Sequence, residues 1–218
     1  MEQQYDFKQD QQKTQKKLEE IYESLKKHFT NEKDEKAETV KQLMQNLEGK
    51  EVPEHIMKVI NEEVSRFLQM EKHHSEVQVT RTYLEYLTKM PYGVQSEENF
   101  DLKFAKTELD SGHYGLDEVK QRILEFIAVG KLKGTVQGKI LCFVGPPGVG
   151  KTSIGESIAK ALGRKFVRIA MGGDKDTSSL KGFRRTYVGA IPGKIVRALK
   201  TAEVENPLIL IDEVDKLG

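Results

Sequence analysis

The sequence predicts an α/β fold with a parallel sheet, preceded by an all-α helical region. Glycine is spread unevenly along the 218 residues, because only Gly49 and Gly93 of the 18 glycines precede residue 112. Apolar residues recur every three or four positions in the first half, which is typical of helices. The second half instead contains short unbroken apolar runs, which are typical of strands buried on both faces. We therefore predict a helical region over 1–90, a linker over 91–111 and an α/β core over 112–218.

The composition excludes several classes of protein. Thirty-five basic and 34 acidic side chains leave a formal net charge of +1, so the chain lacks the strong field expected of a protein that binds nucleic acid or an anionic membrane. Cys142 is the single cysteine, which excludes an internal disulfide and a multi-cysteine zinc site. No apolar run approaches the roughly 20 residues that span a bilayer, and the first residues resemble neither a signal peptide nor a transit peptide. We expect a soluble intracellular protein without a membrane partner.

Four helices are predicted within residues 1–90. Gly49 stands where one helix would end, and Pro53 suits the first turn of the next. The charged run 32–36 is predicted to be a solvated turn. The apolar faces of the four helices are Leu18, Ile21, Tyr22, Leu25 and Phe29; Val40, Leu43, Met44 and Leu47; Ile56, Val59, Ile60, Val64, Phe67 and Leu68; and Leu84 and Leu87. The simplest interpretation of these faces is that the helices pack against one another.

Helices and strands alternate in the α/β core, as they do around a parallel sheet. Predicted helices cover 116–129, 151–162 and 192–199, and predicted strands cover 140–144, 165–170 and 208–211. The run 140–144 contains only apolar residues, which predicts a strand buried on both faces.

A phosphate loop joins the strand 140–144 to the helix that follows it. Its pattern is Gly, four residues, Gly-Lys-Thr, and its residues are Gly145, Pro146, Pro147, Gly148, Val149, Gly150, Lys151 and Thr152. The glycines let successive backbone N–H groups converge on an anion, and the helix N-terminus adds a positive field. Lys151 would reach the β- and γ-phosphates, and the Thr152 hydroxyl would bind Mg²⁺. The alternative is a glycine turn that binds no ligand.

An acidic pair, Asp212 and Glu213, follows the strand 208–211. Asp212 would hold the water shell of Mg²⁺, and Glu213 would activate the attacking water as a general base. Taken alone, such a pair is an ordinary solvated strand end. Together with the phosphate loop it predicts ATP hydrolysis, with ATP and Mg²⁺ as cofactors. Protein kinase chemistry is disfavoured, because no Asp-Phe-Gly element is present.

A second glycine-flanked loop precedes the helix 192–199. Tyr187 and Val188 stand between glycines, which is an unusual place for apolar side chains. The loop either packs back onto its own domain or is mobile and grips a partner. The neighbouring Arg184 and Arg185 would meet phosphate or a carboxylate, or remain solvated.

Several of these segments together resemble the Lon protease family of AAA+ ATPases. The segments are 113–116, 122–129, the phosphate loop, 184–190 and 206–218. The likeness is close from about Pro53 onward, whereas only the helical character fits before it. The resemblance implies an AAA+ P-loop NTPase core, here with an incomplete parallel sheet.

The resemblance also implies a mechanism. In this family a homohexameric ring hydrolyses ATP and pulls unfolded or damaged proteins through a pore into a chamber of Ser-Lys proteases. By position, Tyr187 and Val188 resemble the pore-loop pair that grips substrate, and His113 and Tyr114 resemble residues that line the adenine pocket. DNA binding is implied by the resemblance alone. The stretch 205–210 resembles mitochondrial forms, which implies the mitochondrial matrix, with bacterial cytoplasm as the alternative.

This sequence departs from the family at one residue and in the segments that it contains. Phe183 stands where the family commonly has His, and no protease domain is present in the 218 residues. Both strands that flank the phosphate-loop strand in AAA+ sheets would lie beyond residue 218. We therefore expect residues 140–144 to be unpaired and uncovered, and the chain alone to fold marginally and hydrolyse ATP poorly. A protein-remodelling AAA+ ATPase without a peptidase and an inactive helical interaction module remain open as alternatives.

Overall fold

The computed structural model describes residues 31–71, 76–134, 140–172, 178–185 and 190–216. The chain divides into two compact units. The first is Met1–Val94 together with Phe183–Ile191, and the second is Gln95–Gly182 together with Pro192–Gly218. The first of the four predicted helices and the pair Tyr187 and Val188 lie outside the described residues.

The described part of the first unit contains three helices. They are α1 (Asn31–Gln45), α2 (Glu54–Gln69) and α3 (Glu76–Lys89). Their buried apolar residues form one core together with Leu47, which follows α1; the core consists of Val40, Leu43, Met44, Leu47, Met57, Ile60, Val64, Phe67 and Leu84. The second, third and fourth predicted helices are thereby confirmed. The prediction of a turn over 32–36 is wrong, because α1 already includes this run; its Glu and Lys residues are good helix formers and no Gly or Pro interrupts them.

Three further helices build the core of the second unit. They are α4 (Leu102–Gly112), α5 (Asp117–Lys133) and α6 (Lys151–Leu162). The buried apolar residues that form their shared core are Ala105, Leu109, Ile123, Ile127, Ile154, Ile158, Ala161 and Leu162. The predicted helices over 116–129 and 151–162 are thereby confirmed.

The predicted linker over 91–111 differs from the structure. Helix α4 occupies its second half, and Asp101 caps that helix by accepting a hydrogen bond from the N–H of Lys103 at 2.8 Å. The preceding residues are also tied to the second unit, since the Asn206 side chain accepts from the Ser96 N–H at 2.8 Å and donates to the Ser96 carbonyl at 3.0 Å. Only Ala105 and Leu109 of α4 are fully buried, so the sequence carries a weak apolar pattern here. The boundary between the units lies at residue 94.

A parallel two-stranded sheet completes the second unit. Strands β1 (Phe166–Ala170) and β2 (Leu208–Asp212) pair in register, so that Ala170 lies opposite Asp212 at their carboxyl ends. Helix α7 (Ser178–Lys181) and helix α8 (Lys194–Ala202) stand between them in the chain, and a 3₁₀ turn, Val214–Lys216, follows β2. The α/β fold with a parallel sheet preceded by helices is confirmed.

The run 140–144 is not a strand in the structure, so that prediction is wrong. The described sheet consists of β1 and β2 alone, and a β-strand requires a partner for its backbone hydrogen bonds. Ile140 and Val144 have 94% and 93% of their surface exposed, whereas Phe143 packs against the helical core of the unit. The expectation that this run is unpaired and uncovered is met at Ile140 and Val144. No helix in the described ranges is both long enough and apolar enough to cross a membrane.

Candidate functional site

The phosphate loop leads directly into the N-terminus of α6. Gly148 and Gly150 have φ angles of 81° and 90°, a left-handed conformation that only glycine adopts at little cost. Gly150 is the residue before the helix, and its carbonyl accepts the hydrogen bond from the Ile154 N–H at 2.9 Å. The first N–H groups of α6 therefore have no partner within the helix and can bind an anion.

The Lys151 ammonium lies against the backbone of this loop. It donates hydrogen bonds to the carbonyls of Gly145 at 2.8 Å and Pro146 at 2.6 Å. The side chain is thus folded over the loop, with its charge beside these two carbonyls. A flexible cation on a loop whose backbone N–H groups can face an anion suits the binding of phosphate oxygens.

Thr152 and Asp212 come together although 60 residues separate them in the chain. The Thr152 hydroxyl donates to Asp212 Oδ2 at 3.0 Å. Asp212 also accepts from the Glu213 N–H at 3.0 Å through Oδ1, and its Oδ2 lies 2.7 Å from Arg168 Nη2. Desolvation by burial would raise the pKa of Asp212, but the Thr152 hydroxyl, the Arg168 charge and the Glu213 N–H together hold that pKa below its ordinary value.

The pair Thr152 and Asp212 fits a magnesium ion. Mg²⁺ prefers oxygen ligands and is usually bound by one or two protein groups together with phosphates and water. A hydroxyl and an ionised carboxylate next to a helix N-terminus supply that donor set. The sequence predicted both residues for this ion from the loop pattern and the strand end.

Glu213 adopts a left-handed backbone conformation, with a φ of 59°. Its carboxylate lies against Gly172, so closely that a Cβ on Gly172 would overlap with its oxygen Oε2. The space left by this glycine therefore accommodates the Glu213 carboxylate, near the carboxyl end of β1.

Sequence reasoning missed Arg168 and Gly172. The signal for Arg168 was present, because a charged residue interrupts the otherwise apolar strand β1. Its partner could not be read from the sequence, since it depends on the register of β1 with β2. The role of Gly172 depends on the rotamer of Glu213, for which the sequence holds no signal.

The structure brings His113 to the phosphate loop but not Tyr114. His113 Nε2 lies 3.3 Å from the Ser157 hydroxyl on α6, and its ring lies 3.5 Å from where a Cβ on Gly150 would be. Tyr114 is fully exposed. The Lys120 ammonium, itself largely buried, donates to the His113 carbonyl at 2.7 Å and lies 2.8 Å from Asp110.

The arginine beside the second loop meets a carboxylate. Arg185 belongs to the first unit, where its Nη1 lies 2.9 Å from Glu63 Oε2 and its guanidinium lies 4.9 Å from the ring centroid of Tyr83. Of the alternatives predicted for this arginine, an ion pair with a carboxylate is confirmed. The neighbouring Tyr187 and Val188 stay a prediction.

Comparison with known proteins connects this geometry to a family. Residues 141–218 match the model of the ATPase family associated with various cellular activities (AAA). That range contains the phosphate loop, Arg168 and the acidic pair.

Similar proteins cover most of the chain. Proteins described as "Lon protease homolog, mitochondrial" from Schizosaccharomyces pombe, Rattus norvegicus and Homo sapiens are each 53% identical over 201 residues, which is 92% of this chain. The chain spans about a fifth of the length of these relatives, namely 19% of the yeast protein and 21% of the rat and human proteins. Over these residues the chain belongs to the Lon protease family, and its second half carries part of an AAA ATPase domain.

Proposed function

We propose that the second unit binds ATP with Mg²⁺ and hydrolyses it, as the ATPase part of a Lon-type ATP-dependent protease. The observation that carries this proposal is the 3.0 Å hydrogen bond from the Thr152 hydroxyl to Asp212 Oδ2. It joins the end of the phosphate loop to the end of β2, so that both groups predicted to hold Mg²⁺ face one another.

Each residue of the site has a distinct task in this proposal. The N–H groups of residues 148–152 and the Lys151 ammonium bind the phosphates. Thr152 and Asp212 would hold Mg²⁺, Asp212 through water, and the ion would supply positive charge for the β- and γ-phosphates. Glu213 orients the attacking water and takes its proton. The Glu213 carboxylate rests against Gly172, near the carboxyl end of β1.

We further propose how the site serves a larger protein. The relatives are named as mitochondrial proteases, which supports a role in the mitochondrial matrix in degrading unfolded or damaged proteins. ATP hydrolysis in a homohexamer would move those substrates, with Tyr187 and Val188 as the gripping pair. His113, which contacts α6 through Ser157, would line the adenine pocket together with Tyr114. Nothing in the described residues supports DNA binding.

Single-turnover hydrolysis tests the proposal. The chain in excess over γ-labelled ATP, with Mg²⁺, is expected to release labelled phosphate slowly, and this format detects rates too low for a steady-state assay. Glu213→Gln should lose about 10²- to 10⁴-fold in rate, because a general base contributes that much, while ATP binding stays within about twofold.

A matched variant controls for the loss of an acidic side chain. Glu156→Gln removes an exposed carboxylate on α6 that pairs with Lys160 at 3.3 Å, and it should hydrolyse ATP as the unchanged chain does. If Glu213→Gln released phosphate as fast as Glu156→Gln, the assignment of the base would be wrong.

A further inference from the structure

We infer that Arg168 is a positioning residue of the nucleotide site. Its guanidinium acts as a counter-ion that holds the Asp212 carboxylate while no Mg²⁺ is bound. This inference rests on the proposed nucleotide site and concerns how that site responds to metal. Its consequence is that Arg168 lowers the dependence of nucleotide binding on Mg²⁺.

Strand geometry directs Arg168 and Asp212 to the same side of the sheet. Alternate residues of a strand share a face, so Arg168 shares a face with Phe166, and Asp212 shares one with Leu210. That face is covered by α6, because the side chains of both Phe166 and Leu210 lie within 3.6 Å of where a Cβ on Gly155 would be. Arg168 is therefore on the side of the sheet that also carries the first turn of α6.

The contacts of Asp212 show which carboxylate oxygen the Arg168 guanidinium occupies. Oδ1 accepts from the Glu213 N–H, whereas Oδ2 accepts from the Thr152 hydroxyl at 3.0 Å and lies 2.7 Å from Arg168 Nη2. Oδ2 is thus the oxygen on the side of the other proposed metal-binding group. Thr152 and Asp212 would hold Mg²⁺ together, and Arg168 now contacts the Asp212 oxygen that faces Thr152.

The arginine is free to give up this contact. Its side chain is 53% exposed, against 19% for Asp212, so the guanidinium can move into solvent at small cost. Exposed ion pairs of this kind are weak, which suits a contact that must yield to a divalent ion. A buried and fully satisfied pair would instead exclude the metal.

The charge has opposite effects on metal and on nucleotide. Without Mg²⁺, the guanidinium cancels the negative charge of Asp212 that would repel the phosphates. With Mg²⁺, the same guanidinium competes for Asp212 and weakens metal binding. Removing the charge should therefore weaken metal-free nucleotide binding and lower the Mg²⁺ concentration needed for full binding.

A pair of titrations tests this inference. A fluorescent ADP analogue is titrated into the unchanged chain and into Arg168→Met, once with saturating Mg²⁺ and once with EDTA. Arg168→Met keeps most of the apolar stem and removes the charge. The ratio of the Kd in EDTA to the Kd in Mg²⁺ should rise about 3- to 10-fold, the effect of one partly screened charge.

Two further variants and one control sharpen the result. Arg168→Lys should restore part of the wild-type ratio because it keeps the charge, and Arg168→Gln should behave as Arg168→Met does. Arg122→Met removes an exposed arginine that pairs with Glu125 on α5 at 2.9 Å, and its ratio should equal that of the unchanged chain. Thermal melting of each variant reports on folding.

The outcomes separate this inference from the proposed function. An unchanged or lower ratio in both Arg168→Met and Arg168→Gln would overturn the counter-ion role while leaving the nucleotide site intact. If the unchanged chain bound the analogue in neither condition, the proposed function would fail, and the counter-ion role with it.

Discussion

Gly155 allows α6 to lie close to the sheet, and this closeness is what brings Thr152 to Asp212. A Cβ on Gly155 would lie 3.3 Å from Leu210 Cδ1 and 3.6 Å from Phe166. Gly155→Val adds two methyl groups beyond that Cβ. Overpacking costs about 1–3 kcal/mol, and the better helix propensity of valine returns less than about 0.5 kcal/mol. We expect a net loss of about 2 kcal/mol in the free energy of unfolding.

Urea denaturation followed by circular dichroism measures this loss. Since displaced α6 carries Thr152, nucleotide binding should weaken as well, by about tenfold for a loss of 1.4 kcal/mol. The matched control is Glu156→Val, which places the same side chain on the exposed neighbour and removes its pair with Lys160. Glu156→Val should lower the free energy of unfolding by less than about 1 kcal/mol. Equal stability and equal nucleotide affinity in the two variants would refute the close-packing argument.

Three further predictions concern stability. Leu84→Ala should lower the free energy of unfolding by about 2–5 kcal/mol, because Leu84 is fully buried in the helical core; a loss below about 1 kcal/mol in urea denaturation would show that this core is loosely packed. Gly163→Ala should cost at least about 1 kcal/mol, since Gly163 has a φ of 70° and a Cβ there would lie 2.7 Å from the Glu97 carbonyl; a raised melting temperature would contradict this. The hydrogen bond from Lys120 holds the pKa of Asp110 below its ordinary value, so the stability that Asp110 contributes is present above that ordinary value and is lost as the pH falls through the lowered one. Asp110→Asn should therefore reduce the urea midpoint near neutral pH but not in strong acid, and an equal reduction at both would assign the effect to packing.

Dense apolar spacing made the helices predictable. The face of α2 includes the buried Ile60, Val64 and Phe67, and such spacing fits no other regular structure. Helix α4 was missed because only two of its apolar residues, Ala105 and Leu109, are fully buried. The strand predicted over 140–144 failed for a different reason. An apolar run reports a preference for burial, whereas a strand also needs a neighbour to pair with.

The candidate site likewise contains residues that the sequence predicted and residues that it did not. The phosphate loop and the acidic pair follow from local pattern, because chain geometry fixes the positive φ angles of Gly148 and Gly150 and the place of Asp212 at the end of β2. Arg168 and Gly172 act through the register of the sheet and through side-chain packing, which sequence spacing does not encode.

Binding of ADP with Mg²⁺, measured by calorimetry, tests most directly whether the phosphate loop and Asp212 form a nucleotide site. We expect the chain to bind ADP with one site, Lys151→Met to bind at least about tenfold more weakly, and Lys160→Met, which removes a lysine of the same helix that pairs with Glu156, to stay within about twofold. Equal affinity in Lys151→Met and Lys160→Met, or no binding by the unchanged chain, would contradict the assignment of this site.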